Sequence, residues 1–327
     1  MREPASWWDP AAGAGLLAPL GMVYGAVAAW RMARPGPAAG IPVLCVGNLT
    51  VGGAGKTPTA MAVAQLLLDA GRRPFMLSRG YGGRLAGPVL VDPATHRAAD
   101  VGDEPLLLAR IAPTIVARDR VAGAQAARAA GADVIVMDDG FQNPSLRKDA
   151  SLVVIDGLRG AGNGHVFPAG PLRAPLKAQL ARADALLVLG DPWGVGQVLA
   201  AAPELRMFHG RLEPDAQTLA ALRTRPVLAF AGIGDPEKFF ATLTGADVEV
   251  RSRQAFPDHH RYSRADAADL IARAERDGLT LVTTEKDLAR MGGEGELRVL
   301  VGIAGALPVK LVVNEADAFR QFILAQA

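Results

Sequence analysis

The stretch Asn48–Ala60, NLTVGGAGKTPTA, constrains the fold of this chain more than any other. It is a glycine-rich loop ending in Gly55-Lys56-Thr57 between two apolar patterns of different period. Ahead of it, IPVLCVG is short, apolar and rich in β-branched residues, the pattern of a buried parallel strand. Behind it, TAMAVAQLLLDAG has apolar residues at helical spacing and Gly71 as a C-terminal cap. Strand, glycine loop and helix together make a phosphate-binding loop, where backbone N–H groups and a helix N-terminus converge on anionic oxygens. The usual pattern G-x-x-x-x-G-K-[ST] wants glycine where this chain has Thr50. On this reading Thr50, Val51, Gly52, Gly53, Ala54 and Gly55 wrap the phosphates of a nucleotide. Lys56 reaches the β- and γ-phosphates, and Thr57 holds Mg²⁺. Pro58 falls in the first helical turn, where a missing N–H costs little. A merely structural turn has no use for the Lys-Thr pair.

The rest of the chain repeats the alternation. Candidate strands are Pro42–Val46, Pro74–Leu77, Ile115–Ala117, Val134–Met137, Leu152–Ile155 and Leu186–Leu189, with helices at Glu104–Ile111, Arg120–Ala130 and Leu176–Arg182. This predicts an α/β fold, a P-loop NTPase-like parallel sheet flanked by helices. The pattern loosens around Arg206–Arg225. A second α/β series follows at Val227–Ala231, Val248–Arg251, Thr280–Thr283, Val299–Val301 and Lys310–Val313, with EADAFRQFILAQA as a closing helix. The expected division is an anchor over 1–36, a P-loop domain over 37–215 and a smaller α/β domain over 216–327.

With 327 residues, half of them hydrophobic, the chain is long enough for two cores. A net charge of +2 speaks against a nucleic-acid partner. Cys45 is the only cysteine, so an internal disulfide and a cysteine-based zinc site are excluded. From Pro10 to Trp30 no residue is charged, and Arg31 and Arg34 follow at once. Trp7, Trp8, Tyr24 and Trp30 punctuate the run, which approaches the roughly 20 residues of a membrane span. Pro19 and several glycines weaken it as a free helix. It is expected to be an N-terminal membrane-associated helix, spanning or interfacial; a buried helix is the alternative.

The segment ADVIVMDDGFQN ends a buried strand in Asp138 and Asp139, where a P-loop enzyme carries its second Mg²⁺-binding element. Adjacent carboxylates repel, so the pair calls for a cation or for Lys56 nearby. SRGYGG, GDEP, ARDRVAG and FPAGPLRAP all fall in loops after strands of one sheet, where they can line one crevice. FPDHHRY sets Asp258 beside His259 and His260, suited to acid–base work more than to a metal, and TTEKD ends another strand.

VGNLTVGGAGKTP, SRGYGG, GDEP, DDGFQ, FPAGPLR, AFAGIGDPEKFF, FPDHH and TTEKD occur in order from Val46 to Asp287. As a series they resemble the tetraacyldisaccharide 4′-kinases, the lipid A 4′-kinases of Gram-negative bacteria. In that family the first glycine of the loop is likewise not required. The resemblance implies transfer of the γ-phosphate of ATP, with Mg²⁺, to the 4′-hydroxyl of an acylated glucosamine disaccharide 1-phosphate. It further implies work at the cytoplasmic face of the inner membrane with no obligate protein partner. It implies that Asp103 is the base and that His259 supports it, with Lys56 and Asp139 in catalysis and Thr57 and Asp138 on the metal. Substrate contacts would come from Arg79, Tyr81, Arg120, Gln142 and Arg173. Two positions depart from the family pattern: Asn143 stands where His is usual, and Ala174 where Glu is usual. A switch ATPase of the ParA/MinD type is the alternative, but such proteins carry lysine where this chain has Val51.

Overall fold

A computed structural model describes residues 3–9, 15–34 and 36–327. Its strands, in chain order, are β1 Val43–Asn48, β2 Pro74–Ser78, β3 Val89–Leu90, β4 Thr114–Val116, β5 Val134–Asp138, β6 Ala150–Asp156 and β7 Ala185–Leu189. They continue as β8 Arg206–Pro214, β9 Val227–Ala231, β10 Val250–Ala255, β11 Thr280–Thr284, β12 Gly305–Leu307 and β13 Val309–Val313. Nine of them form one sheet in the order β13-β8-β7-β6-β1-β5-β2-β4-β3. Pairing is parallel from β8 to β4, and only the edges β13 and β3 run antiparallel. The strand β1 is buried along its whole length because helices cover both faces. Val43 and Cys45 point into the core on one face, Leu44 and Val46 into the core on the other. That two-sided burial is why IPVLCVG reads as an unbroken apolar run.

The smaller sheet, β10-β9-β11-β12, is all parallel and has its own cores on its two faces. It is inserted into the larger unit. After β8 the chain leaves at Asp215, whose N–H bonds to Pro308 O (2.9 Å), and after β12 it returns directly as β13. The expected smaller unit over 216–327 therefore needs correction at its end. β13 pairs with β8, and the helix Ala316–Ala325 packs on the larger sheet through Phe319, Phe322 and Ile323. Sequence order misleads here because one proline separates strands of two different sheets.

Val299–Val301, expected as a strand, lies in the helix Arg298–Ile303. Leu300 of that helix is buried, Val301 packs partly against the same core, and Val299 and Ile303 are exposed. The loosened region at 206–225 contains β8, an edge-side strand with alternating exposure, and the helix Ala216–Leu222.

The uncharged N-terminal run becomes the helix Ala18–Met32; residues 10–14 of the run lie outside the described residues. At 15 residues the helix is about 22 Å long, short of the ~30 Å apolar core of a bilayer. No helix among the described residues is long and apolar enough to cross a membrane. One face lies on the protein through Gly21 and Gly25, where added side chains would meet Val166 O at 2.7 Å and Pro175 Cγ at 3.3 Å. Leu20, Val23, Tyr24, Val27 and Trp30 are exposed on the rest of its surface.

Phe208 of β8 is buried against the rings of Phe319 and Phe322, with centroids 5.1 and 5.6 Å away. Phe208→Ala should lower stability by about 3–5 kcal/mol in urea unfolding, because it opens a cavity between the larger sheet and the C-terminal helix. A loss below about 1 kcal/mol would mean that the helix does not belong to this core.

Candidate active site

The loop after β1 is shaped before any nucleotide arrives. Gly55 caps the helix Lys56–Asp69 with φ +85°, a left-handed conformation that only glycine adopts cheaply. Asn48 donates to Thr50 O (2.8 Å) and Gly52 O (3.3 Å) and so holds the loop from beneath. The entrance is tied to the FPAGPLR segment: Val51 N–H donates to Pro171 O, and Arg173 donates through N–H to Leu49 O and through Nε to Thr50 O. The Val51 N–H, expected on a phosphate, is thus already spent. This brace fixes the loop entrance at Thr50 and Val51. Lys56 and Thr57 are buried in the first turn of the helix.

Asp138 and Asp139 end β5, the neighbour of β1. Asp139 lies 3.8 Å from Lys56 Nζ and 3.0 Å from Arg173 Nη1, and its φ of +52° aims it back over the loop. Burial raises its pKa, but Lys56 and Arg173 outweigh burial and keep it below the ordinary carboxylate range. Lys56 is lowered by its own burial. Asp138 is fully buried, and neither of its carboxyl oxygens has a hydrogen-bond partner. Burial, with the charges of Glu104 and Asp139, pushes it up to about 7. An orphaned carboxylate beside a phosphate cradle fits a divalent cation. No group of three or more His, Cys, Asp or Glu among the described residues could cage one, so Thr57, Asp138 and phosphate oxygens would share it, the usual manner for Mg²⁺.

The smaller domain closes over this edge. Gly234 sits against Gly53: an added Cβ would stand 3.2 Å from the Gly53 nitrogen. From the helix Glu285–Met291, Lys286 reaches Glu104 (2.6 Å), and Arg290 donates through Nε (3.1 Å) and Nη2 to Asp103 Oδ2. His259 Nδ1 stands 3.6 Å from the same oxygen, and its Nε2 stands 3.9 Å from Asp258. At 3.6 Å this is a charge contact longer than a made hydrogen bond, a spacing that tightens readily when substrate binds. Burial would raise Asp103, but His259, Arg290 and Lys286 outweigh it and hold the carboxyl far below its usual range. His259 is raised, chiefly by Asp103. Its φ of +55° is a second strained backbone position at the site. A cleft of about 310 Å³ opens onto the pair, walled by Tyr81, Gly102, Arg261, Tyr262 and Arg290.

The sequence thus named Asp103 and His259 but missed Lys286, Arg290 and the paired state of Glu104. Of the expected substrate contacts, Tyr81 is exposed with its ring 4.9 Å from that of His259. Arg79 is exposed, and its charge bears on Arg120. Arg120 is buried, donates to Ala117 O and leaves its Nε without a partner. Gln142 is held by the protein itself, donating to Asn48 O and Gln179 Oε1. Arg173 is shared between Asp139 and the loop entrance. Asn143 accepts from Ser145 N–H in a tight turn, and Ala174 is fully buried, with no room for a solvated acid. His260 is occupied by Asp266 and stacks on Phe256.

A family model described as tetraacyldisaccharide-1-P 4′-kinase matches residues 14–327. The chain is 57% identical over 327 residues to the tetraacyldisaccharide 4′-kinase of Rhodopseudomonas palustris (strain BisB18), covering 99% of this chain and 95% of the relative. It is 60% identical over 322 residues to that of Methylobacterium sp. (strain 4-46), covering 97% and 95%. Its fold is similar to the crystal structure of the "apo" form of LpxK from Aquifex aeolicus in complex with ATP. That match has a TM-score of 0.74 at 27% identity and covers 96% and 99% of the two chains.

Asp138 carries a testable electrostatic cost. Its folded pKa is raised, so the cost is absent below the unfolded value near 3.8, grows as pH rises toward about 7, and is complete above it. Asp138→Asn should therefore melt several degrees higher than the parent at pH 8 in EDTA, with the gap closing by pH 4. Mg²⁺ added together with ATP should stabilise the parent more than the variant. An equal Mg²⁺ response in both would remove Asp138 from the metal.

Proposed function

The chain belongs to the tetraacyldisaccharide-1-P 4′-kinase family, and we infer from its geometry how that reaction runs on these residues. It is an ATP-dependent kinase of lipid A biosynthesis that phosphorylates the 4′-hydroxyl of a tetraacylated glucosamine disaccharide 1-phosphate. The observation that carries the mechanism is the meeting of Asp103 and His259, from two domains, at the edge of the phosphate cradle. Neither family membership nor this meeting favours a switch ATPase.

ATP lies with its phosphates on Gly52–Thr57. Lys56 neutralises charge on the γ-phosphate, and Arg173 steadies both the loop entrance and Asp139. Thr57 and Asp138 would hold Mg²⁺, which when bound would add charge neutralisation to the transferring phosphoryl group. The acceptor is an alcohol with a pKa far above 7, so its proton must leave as the O–P bond forms. Asp103 is kept ionised by its cationic neighbours and takes that proton. His259 shares it, with the Tyr81 ring against its imidazole. The 4′-oxygen bonds to the γ-phosphorus, the β–γ bridging bond breaks, and its electron pair leaves with ADP. The unpartnered Nε of buried Arg120, with Arg79 nearby, suits the substrate's 1-phosphate.

The acceptor is a lipid, and the exposed apolar face of the helix Ala18–Met32 suits the interface of the membrane that holds it. Arg34 stacks on Trp30 (3.5 Å), an arrangement that fits the headgroup level at the cytoplasmic face. The helix is too short to span and lies in the interface, its glycine face on the enzyme. Nothing in this reading requires a protein partner or nucleic acid.

The reading is tested with ATP, Mg²⁺ and the acylated disaccharide 1-phosphate. Asp103→Ala and His259→Ala should each lower kcat by about 10²–10⁴, with small changes in KM for ATP. The double variant should be little worse than the poorer single one. Multiplicative losses at saturating substrates would mean that the two do not act as one unit. Separately, Leu20→Ser, Val23→Ser and Val27→Ser together should release the enzyme from sedimenting phospholipid vesicles while it still binds ATP; undiminished sedimentation would sink the interfacial helix.

A further inference from the structure

We propose that Arg290 is the positioning residue of the proton-accepting pair, an inference that rests on Asp103 and His259 filling that role. Arg290 sits on the last turn of the helix Glu285–Met291, and its side chain is 8% exposed. Two of its nitrogens meet one oxygen, Asp103 Oδ2, the same oxygen that faces His259. The other carboxyl oxygen, Oδ1, accepts from Glu104 N–H (3.1 Å). The carboxylate plane is therefore fixed at both oxygens, with one edge turned to the imidazole.

Arg290 is itself anchored. Its Nη1 donates to Asp287 Oδ1 and to Gly232 O, both at 2.9 Å. Asp287 is completely buried and in turn accepts from Gly232 N–H, Tyr262 Oη and Thr284 Oγ1. A lysine has the charge but not the fork: it cannot grip Asp103 while holding Asp287 and Gly232 from a second nitrogen. A buried carboxylate paired by planar donors keeps one orientation, whereas a point charge leaves it free to rotate. Other charges also face Asp103: Glu104 on its own helix, Lys286 one turn before Arg290, and His259 with Asp258 on the loop opposite. Only Arg290 and His259 touch its carboxylate from the smaller domain.

The test is the pH profile of kcat for Arg290→Met and Arg290→Lys, with ATP and acceptor saturating. Arg290→Met should lower kcat about ten- to a hundredfold, the usual cost of losing a group that orients an active-site ligand, with KM for ATP nearly unchanged. Its acid limb should move up by about one pH unit or more, because Asp103 loses its nearest cation. Arg290→Lys should return the acid limb to the parent's position yet keep much of the kcat loss. An unmoved acid limb in Arg290→Met, or parental kcat in Arg290→Lys, would overturn the assignment. If Arg290→Met does not fold, Arg290→Lys decides alone: lowered kcat with the parental limb supports the fork, and parental kcat refutes it. Activity retained by Asp103→Asn would instead defeat the underlying reading, whatever Arg290 does.

Discussion

Two ion pairs join the helix Glu285–Met291 to the start of the helix Asp103–Leu108 and fix how the two domains meet at the candidate site. Lys286 holds Glu104 and Arg290 holds Asp103, so one helical turn of the smaller domain grips two successive acids of the larger. Pairs this buried add little net stability, since desolvation offsets much of the attraction. Breaking one, however, strands a charge in a dry place and costs about 3–5 kcal/mol. Their effect is therefore to make one docking geometry far better than its neighbours. The covalent links between the domains, at Asp215 and Pro308, lie side by side, and such a connection leaves orientation to contacts of this kind.

The cradle beneath shows the same economy of charge. Lys56, Arg173 and Lys286 face Asp138, Asp139 and Glu104 in a partly buried cluster. Asp139 is matched by its cations and stays ionised, whereas Asp138 is matched by none and is pushed toward neutrality. Two adjacent aspartates thus acquire opposite tendencies from their surroundings alone. The brace from Arg173 and Pro171 fixes the loop entrance at Thr50 and Val51.

Much of this was legible in the amino-acid order because the larger sheet is parallel and covered on both faces. β1, β5, β6 and β7 are buried almost throughout, so they appear as unbroken apolar runs with their functional residues just past the ends. The Lys-Thr of the loop and the Asp pair stand out in the pattern itself, whereas Asp103 and His259 are paired only by the family resemblance. Lys286 and Arg290 do not stand out, since their partners lie 182 and 187 residues away and no local pattern records such a contact. The one signal was TTEKD at the end of a buried strand, with Arg290 four positions beyond Lys286 on the same helical face. β13 escapes the local pattern for a related reason: which sheet a short apolar run joins is decided by pairing far along the chain, here antiparallel with β8. The N-terminal run shows the limit of hydropathy, because its glycines serve packing on Val166 and Pro175 while its larger side chains face out.

The central claim is that Asp103 and His259, carried by different domains, form one proton-handling unit before any substrate arrives. It is tested most directly by following the His259 ring nitrogens by NMR across a pH titration of the full chain and of Asp103→Asn. The parent ring should titrate above the ordinary value of 6.5, and Asp103→Asn should bring it back toward that value while the remaining histidines stay in place. A His259 that titrates at its ordinary value in both proteins would contradict the claim.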